Sequence, residues 1–243
     1  MKEVNYTLES NRKIAKDIYE MVLTGDNSAI TRPGKFVNLL IDGCYLRRPL
    51  SVCNVEGDRL TLIYKVVGKG TEILSHAEPG AVFDTLTGLG NGFDVTRAGS
   101  YPLLVGGGVG VPPMYLLCRR LIENGAKPTV VLGFNTADDV FYRERFEALG
   151  AEVRVTTADG SVGTRGFVTD EVKRLMYTYF YACGPMPMFR ALDQVVTTSG
   201  EYSFEERMGC GFGACMGCSC KTKYGTKRIC VDGPVLRREE VIW

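Results

Sequence analysis

Pro102-Leu103-Leu104-Val105-Gly106-Gly107-Gly108-Val109-Gly110-Val111-Pro112-Pro113 is the stretch that decides how this chain folds. Pro102 to Val105 is apolar at every position, as a strand buried on both faces must be. A glycine-rich turn follows, and helical periodicity then runs from Pro113 to Glu123. The same grammar repeats downstream. Thr129 to Phe134 reads as a second strand and Phe141 to Leu149 as a helix; Glu152 to Thr156 is a third strand and Phe167 to Met176 another helix. Tyr179 to Cys183 is a further strand, before the helix Met186 to Thr197 and a last strand Tyr202 to Glu205. Strand and helix in alternation predict an α/β domain with a parallel sheet.

Upstream the pattern differs. From residue 4 to about 98 the segments are short, β-branched and punctuated by turns, as in Phe36 to Ile41 before Asp42-Gly43, and Arg59 to Val67 after Glu56-Gly57-Asp58. Such spacing predicts an antiparallel barrel. The expected layout is multidomain, β plus α/β: a barrel over residues 1–98, a parallel-sheet domain over 99–206 and a small cysteine-rich module over 207–243.

That module contains Cys210-Gly211-Phe212-Gly213-Ala214-Cys215-Met216-Gly217-Cys218, followed by Cys230, a C-x4-C-x2-C-x11-C spacing. Three thiols within one glycine-rich loop can wrap an inorganic centre, and the x4-then-x2 order is that of plant-type [2Fe-2S] ligation. A structural zinc site usually pairs its cysteines in two C-x2-C knuckles, and only Cys215 and Cys218 form such a pair. The spacing favours Cys210, Cys215, Cys218 and Cys230 as iron ligands, with a zinc-stapled binding module and disulfides as the alternatives. Cys220 follows Cys218 by two residues, where an extended chain is expected to turn it elsewhere, and is read as a spare thiol. With so little apolar core of its own, the module would draw folding energy from its metal.

The 243 residues are 45% hydrophobic and 23% charged, with a net charge of +1. This balance suits a soluble globular protein and offers no electrostatic case for nucleic acid or an anionic membrane. No signal-peptide core and no long apolar run occur, so a cytoplasmic protein is expected, with its nine cysteines reduced or ligating. Cys44, Cys53, Cys118 and Cys183 are scattered and read mostly as small core residues. His76, the only histidine, reads as a surface residue.

Phosphate sites are written in glycine. Gly106, Gly107, Gly108 and Gly110 lie between a strand and a helix, where N–H groups at the helix start suit a pyrophosphate. Cys183-Gly184-Pro185 makes a second such turn, again at the carboxyl end of a strand, where open α/β sheets bind ligands. In the barrel half, Arg48-Pro49-Leu50-Ser51 places a guanidinium and a hydroxyl on a segment that Pro49 marks as an edge or bulge, so Arg48 can grip a phosphate. Gly68-Lys69-Gly70-Thr71 ends a strand and enters a helix with Thr71 as its expected cap. Asp138 and Asp139 follow the second α/β strand with no arginine before Arg143, which favours NAD over NADP.

The order Arg48-Pro49-Leu50-Ser51, Gly68-Lys69-Gly70-Thr71, glycine-rich turn and Cys183-Gly184-Pro185 resembles the ferredoxin-NADP reductase superfamily, a flavin barrel joined to a nicotinamide domain. Leu50 stands where that superfamily has tyrosine. With Thr87-Gly88-Leu89-Gly90-Asn91-Gly92-Phe93 and the cysteine segment included, nearly the whole chain resembles the electron-transfer subunits of dihydroorotate dehydrogenase B, which serve pyrimidine biosynthesis. The resemblance implies FAD on Arg48, Pro49, Leu50, Ser51, Ile63, Tyr64, Lys65, Gly70 and Thr71. It implies NAD, as co-substrate, on Gly106, Gly107, Gly108, Gly110, Cys183, Gly184 and Pro185, and a [2Fe-2S] cluster on the four named thiols. The implied partner is an FMN-containing catalytic subunit in a heterotetramer of two plus two, with electrons passing through the cluster and FAD to NAD and no catalytic acid or base on this chain. Flavin subunits of NADPH-ferredoxin or sulfhydrogenase-type complexes share the layout and are the alternative.

Overall fold

The computed structural model describes residues Met1–Trp243. Strands β1 (Lys2–Ala15), β2 (Ile18–Thr24), β3 (Phe36–Leu39), β4 (Arg48–Glu56), β5 (Arg59–Lys65) and β6 (Val82–Leu89) close an antiparallel barrel in the order β1-β2-β5-β4-β3-β6. Its interior is apolar and includes Tyr6, Leu8, Met21, Val37, Leu39 and Leu62. A two-residue connection, Gly57-Asp58, joins β4 to β5, with Gly57 at φ +60°. The barrel is not zipped along its whole length. β4 pairs with β5 only from Val52 to Glu56, with a register slip at Cys53, whereas Arg48 to Ser51 pair with β3 alone. Ile63, Tyr64 and Lys65 likewise pair with β2 alone. The β4–β5 seam is therefore open at one end, and Pro49, which has no N–H to give, sits on that open edge as a strand proline should. The helix α1 (Lys69–Ser75) follows β5.

The second half is a seven-stranded sheet in the order β10-β9-β8-β7-β11-β12-β15, with β15 (Val235–Arg237) at its edge. β7 (Leu103–Gly107), β8 (Thr129–Phe134), β9 (Glu152–Thr157), β10 (Thr164–Arg165), β11 (Phe180–Cys183) and β12 (Gly200–Ser203) are parallel. Helices α2 (Val111–Glu123), α3 (Arg143–Ala148), α4 (Val168–Val172) and α5 (Met186–Asp193) connect them. Three of these helices are shorter than the periodicity predicts. After α4, Arg174 and Leu175 donate to Glu171 and Val172, and after α5 Val195 donates to Leu192, so these ends tighten into three-residue turns. The last parallel strand starts earlier than expected because Gly200, where a Cβ would lie 2.2 Å from the Phe180 ring, lets β12 close against β11.

The C-terminal segment forms the hairpin β13 (Ser219–Thr222) and β14 (Gly225–Arg228), then returns. β15 (Val235–Arg237) adds antiparallel to β12, a connection that the sequence does not announce. Cores run across these boundaries: one joins Ile18, Cys53 and Ile63 of the barrel to Leu104, Met114 and Phe146, and another joins Phe36 and Leu89 to Phe180, Cys218 and Cys230. The barrel also hydrogen-bonds the α/β half directly, Arg119 donating to the Val55 carbonyl (2.8 Å) and the Tyr142 hydroxyl to Glu20 (2.6 Å). No helix is long and apolar enough to cross a membrane.

Candidate functional site

The open seam collects the barrel residues singled out from sequence. Arg48, Pro49, Leu50 and Ser51 line one strand edge without a β5 partner; Ile63, Tyr64 and Lys65 line the other without a β4 partner. Gly70 brings the start of α1 against them, because a Cβ there would come within 2.4 Å of Arg48 Nε. The two neighbouring arginines divide their work. Arg47 is spent on a two-pronged ion pair with Asp84, at 3.0 Å from each nitrogen. Arg48 meets no carboxylate and bonds only the Leu46 carbonyl, leaving its fork for an anion. Tyr64 is committed inward, its hydroxyl donating to Asn11 (3.0 Å) and its ring stacked on Tyr19, so it faces the seam with backbone only. Thr71 corrects the sequence expectation. It is the third residue of α1 rather than its cap, and its hydroxyl donates to Gly68 O while accepting from the N–H groups of Val67 and Gly68. A threonine there fastens the turn after β5, which is why the spacing reads as a cap.

The two glycine turns of the α/β half meet because β7 and β11 are neighbours, with Gly106 opposite Cys183. A Cβ on Gly110 would lie 2.2 Å from the Cys183 carbonyl oxygen, and one on Gly107 2.6 Å from Met188 Sδ. Three of the four glycines thus let the turns pack, Gly106 doing so against Val111; only Gly108, at φ +51°, faces open space. Pro112 and Pro113 carry no N–H and the Val111 N–H goes to Gly108 O, so this helix start offers fewer donors than its sequence position suggests. Cys183 is part-buried; burial pushes its thiol up to about 12, against a hydrogen bond with Ser203. Gly184 packs on Met188 and Pro185 is exposed at the start of α5. Asp139 closes its own turn by accepting from Thr136 N (3.1 Å), and Arg143 is paired with Glu147.

The four cysteines fall into two neighbouring pairs, Cys210 with Cys215 and Cys218 with Cys230. No three side chains of ligating type close on one point. Cys218 and Cys230 are buried, Cys210 is half-buried and Cys215 exposed, so the set runs from the core to the surface. Backbone donors already face the sulfurs: Ala214 N and Cys215 N to Cys210 Sγ (3.3 and 3.4 Å), Gly217 N to Cys215 Sγ (3.5 Å) and Cys230 N to Cys218 Sγ (3.4 Å). Such N–H···S contacts are what an iron–sulfur loop uses to stabilise thiolate charge. Burial raises the Cys210 thiol, but the N–H groups of Cys215, Phe212 and Ala214 outweigh it and bring it down to about 6. Burial beside Cys218 pushes Cys230 up to about 12, a proton that ligation would release.

Cys220 lies on β13 opposite Lys227, half-buried, and hydrogen-bonds no other thiol. Strand alternation does not set it apart from Cys218, as the sequence expectation had it: residues two apart on a strand share a face, and Cys218 lies before β13, in the turn that leads into it. His76 is exposed after α1, as expected.

Sequence reasoning missed the residues that hold the cysteine loop. Asn38 Nδ2 donates to the Cys210 carbonyl (3.2 Å), and Arg228 Nη1 to the Gly213 carbonyl (2.9 Å). The signal for Asn38 was an amide within the apolar run Phe36-Val37-Asn38-Leu39.

An iron–sulfur cluster binding domain of dihydroorotate dehydrogenase B matches residues 205–242, and an oxidoreductase NAD-binding domain matches residues 104–194. Over all of this chain and 99% of the relative, the sequence is 43% identical to the electron-transfer subunit of NAD(+)-type dihydroorotate dehydrogenase B from Geobacillus sp. (strain WCH70). The chain belongs to that family. The counterpart from Bacillus caldolyticus is 46% identical over 97% of each chain. A solved structure of an NADH-dependent reduced ferredoxin-NADP oxidoreductase, described for flavin-based electron bifurcation, superposes with a TM-score of 0.88 at 31% identity, covering 98% of this chain and 90% of that one. Phthalate dioxygenase reductase, at 20% identity and a TM-score of 0.65 over 84% of this chain and 69% of that one, shares the fold. As a member of the dihydroorotate dehydrogenase B family, the chain is an NAD-linked flavin and iron–sulfur oxidoreductase subunit that acts with a catalytic partner.

Proposed function

We propose that the open β4–β5 seam is the FAD site, that the paired glycine turns receive NAD, and that Cys210, Cys215, Cys218 and Cys230 hold the [2Fe-2S] cluster. When bound, FAD supplies both hydride exchange with nicotinamide and one-electron exchange with an iron–sulfur centre. The chain's own task is positioning. The unpaired fork of Arg48 holds a phosphate, Gly70 clears the approach, and the backbone of Ile63, Tyr64 and Lys65 offers hydrogen-bonding groups that no strand takes. Ser51 pairs with Phe36 through its backbone and adds a hydroxyl with no protein partner to the same edge. Gly108 and Gly184, with Cys183 and Pro185, border the nicotinamide side at the strand ends where the two turns meet.

One observation carries this reading: the cysteine loop rests on Asn38 of β3, and the cross-strand partner of Asn38 is Pro49 in the seam. The cysteine loop and the open seam therefore meet the same pair of barrel strands, which supports neighbouring cluster and flavin sites. The exposed loop residues Phe212 (45%) and Met216 (53%) flank the thiols and suit a protein partner. The proposed partner is an FMN-containing catalytic subunit that oxidises dihydroorotate to orotate in the cytoplasm, in the two-plus-two assembly that the family resemblance implies. Co-purification with that subunit, followed by an assay of dihydroorotate-dependent NAD reduction, tests the proposal. A complex that reduces NAD supports it; a complex loaded with FAD and iron that does not reduce NAD overturns it.

A further inference from the structure

Asn38 is a polar side chain where the barrel has no use for one. It is 1% exposed, between Val37 and Leu39 in a fully buried strand, and its Oδ1 has no hydrogen-bond partner. An unmet buried acceptor destabilises a core, so an apolar residue would serve the barrel better. What the amide does instead is reach out of the barrel. Its Nδ2 donates to the Cys210 carbonyl, and Gly211 comes so close that a Cβ there would lie 2.5 Å from the same nitrogen. Gly211 has φ +79°, a backbone turn that favours glycine, which brings the loop down onto the amide. On its other side, Asn38 stands opposite Pro49 in the β3–β4 ladder, within the segment that edges the open seam.

We infer that Asn38 is a positioning residue that sets the cysteine loop at a fixed distance and orientation from the flavin strand. This rests on the assignment of the cluster to the four thiols. Its donor fixes the carbonyl of the first ligand, and with it the N–H groups of Ala214 and Cys215 that face Cys210 Sγ. Without it the loop keeps its ligands and loses its seat. The second tether, from Arg228 to Gly213, lies within the C-terminal segment itself and does not tie the loop to the barrel.

The test uses the cofactor-loaded chain and the variants Asn38→Leu and Asn38→Val, each of which removes the donor together with the unmet acceptor and buries no charge. Iron and FAD are counted first, with Cys215→Ser alongside. Retained iron in that control would refute the ligand assignment, separately from any effect of Asn38. Amide hydrogen exchange is then followed in cofactor-loaded and cofactor-free chain, with the paramagnetic resonance spectrum of the reduced cluster. Both variants are expected to keep FAD and to exchange about tenfold faster across residues 210–215, the equivalent of one lost hydrogen bond, with a shifted spectrum and the rest of the barrel unchanged. The inference is overturned if both variants match the parent in loop exchange and spectrum. It is equally overturned if exchange rises throughout the barrel or FAD is lost, since Asn38 would then serve only the fold.

Discussion

Asn91 holds Val235 by both of its backbone groups, its Oδ1 accepting from the Val235 N–H (3.1 Å) and its Nδ2 donating to the Val235 carbonyl (2.8 Å). The same Nδ2 donates to Asp232 O (3.1 Å), and the Asn91 N–H reaches Gly233 O (2.7 Å). A short loop after the barrel thus mimics a strand and receives the chain as it leaves the cysteine module. Gly90, at φ +76°, makes room for Pro234. Asn91→Ala leaves three part-buried backbone groups without partners and is expected to cost about 2–3 kcal/mol. Denaturant unfolding followed at Trp243 would read the loss. A change below about 0.5 kcal/mol, the range of ordinary surface substitutions, would mean that the module is held elsewhere.

Arg48 and Arg47 should separate cleanly. Arg48→Ala removes a fork that no carboxylate uses and is expected to weaken FAD binding by roughly ten- to a hundredfold, the worth of a charge-assisted hydrogen bond. Arg47→Ala breaks the pair with Asp84 and should act on stability with little change in FAD affinity. Flavin released on dilution measures both, and equal FAD loss in the two variants would contradict the division.

Cys220→Ser should leave the visible spectrum unchanged, with roughly two irons and two sulfides per chain as a [2Fe-2S] centre requires. Bleaching would show that the ligand set includes Cys220.

Glu201 gives stability a pH dependence. Burial, and next the neighbouring Asp94, raise its carboxyl to about 7, although it accepts from Asp94 N (3.0 Å). A raised carboxyl means that the native chain keeps a proton which the unfolded chain releases. Its stabilising share is therefore full below the ordinary glutamate value and is lost as pH climbs through about 7. Glu201→Gln should flatten this fall and stabilise the chain at pH 8 by roughly 1–3 kcal/mol. Denaturant midpoints at pH 5 and pH 8 check it, and parallel pH curves for parent and variant would refute it.

The α/β alternation was legible because parallel strands buried on both faces are apolar throughout, and β8 begins and ends where its sequence says. The cysteine spacing was legible because ligation needs residue types at short range. The return of β15 to β12 was not, since Val235-Leu236-Arg237 is too short to carry a period and its partner lies far back in the chain. Thr71 was misplaced by one turn because a hydroxyl at the third helical position and one at the cap close the same ring of hydrogen bonds. Asn38 and Asn91 escaped because their partners are backbone carbonyls more than a hundred residues away, which no local pattern encodes.

On the proposed reading, electrons reach NAD through a cluster held by Cys215 and its three companions. The direct measurement is rapid mixing of dihydroorotate with the assembled complex, following flavin absorbance and NADH formation for the parent and for Cys215→Ser. The parent should reduce NAD; Cys215→Ser should keep FAD, accept hydride from added NADH, and form NADH from dihydroorotate only at background rate. Dihydroorotate-driven NADH formation by Cys215→Ser at the parent's rate would contradict the account.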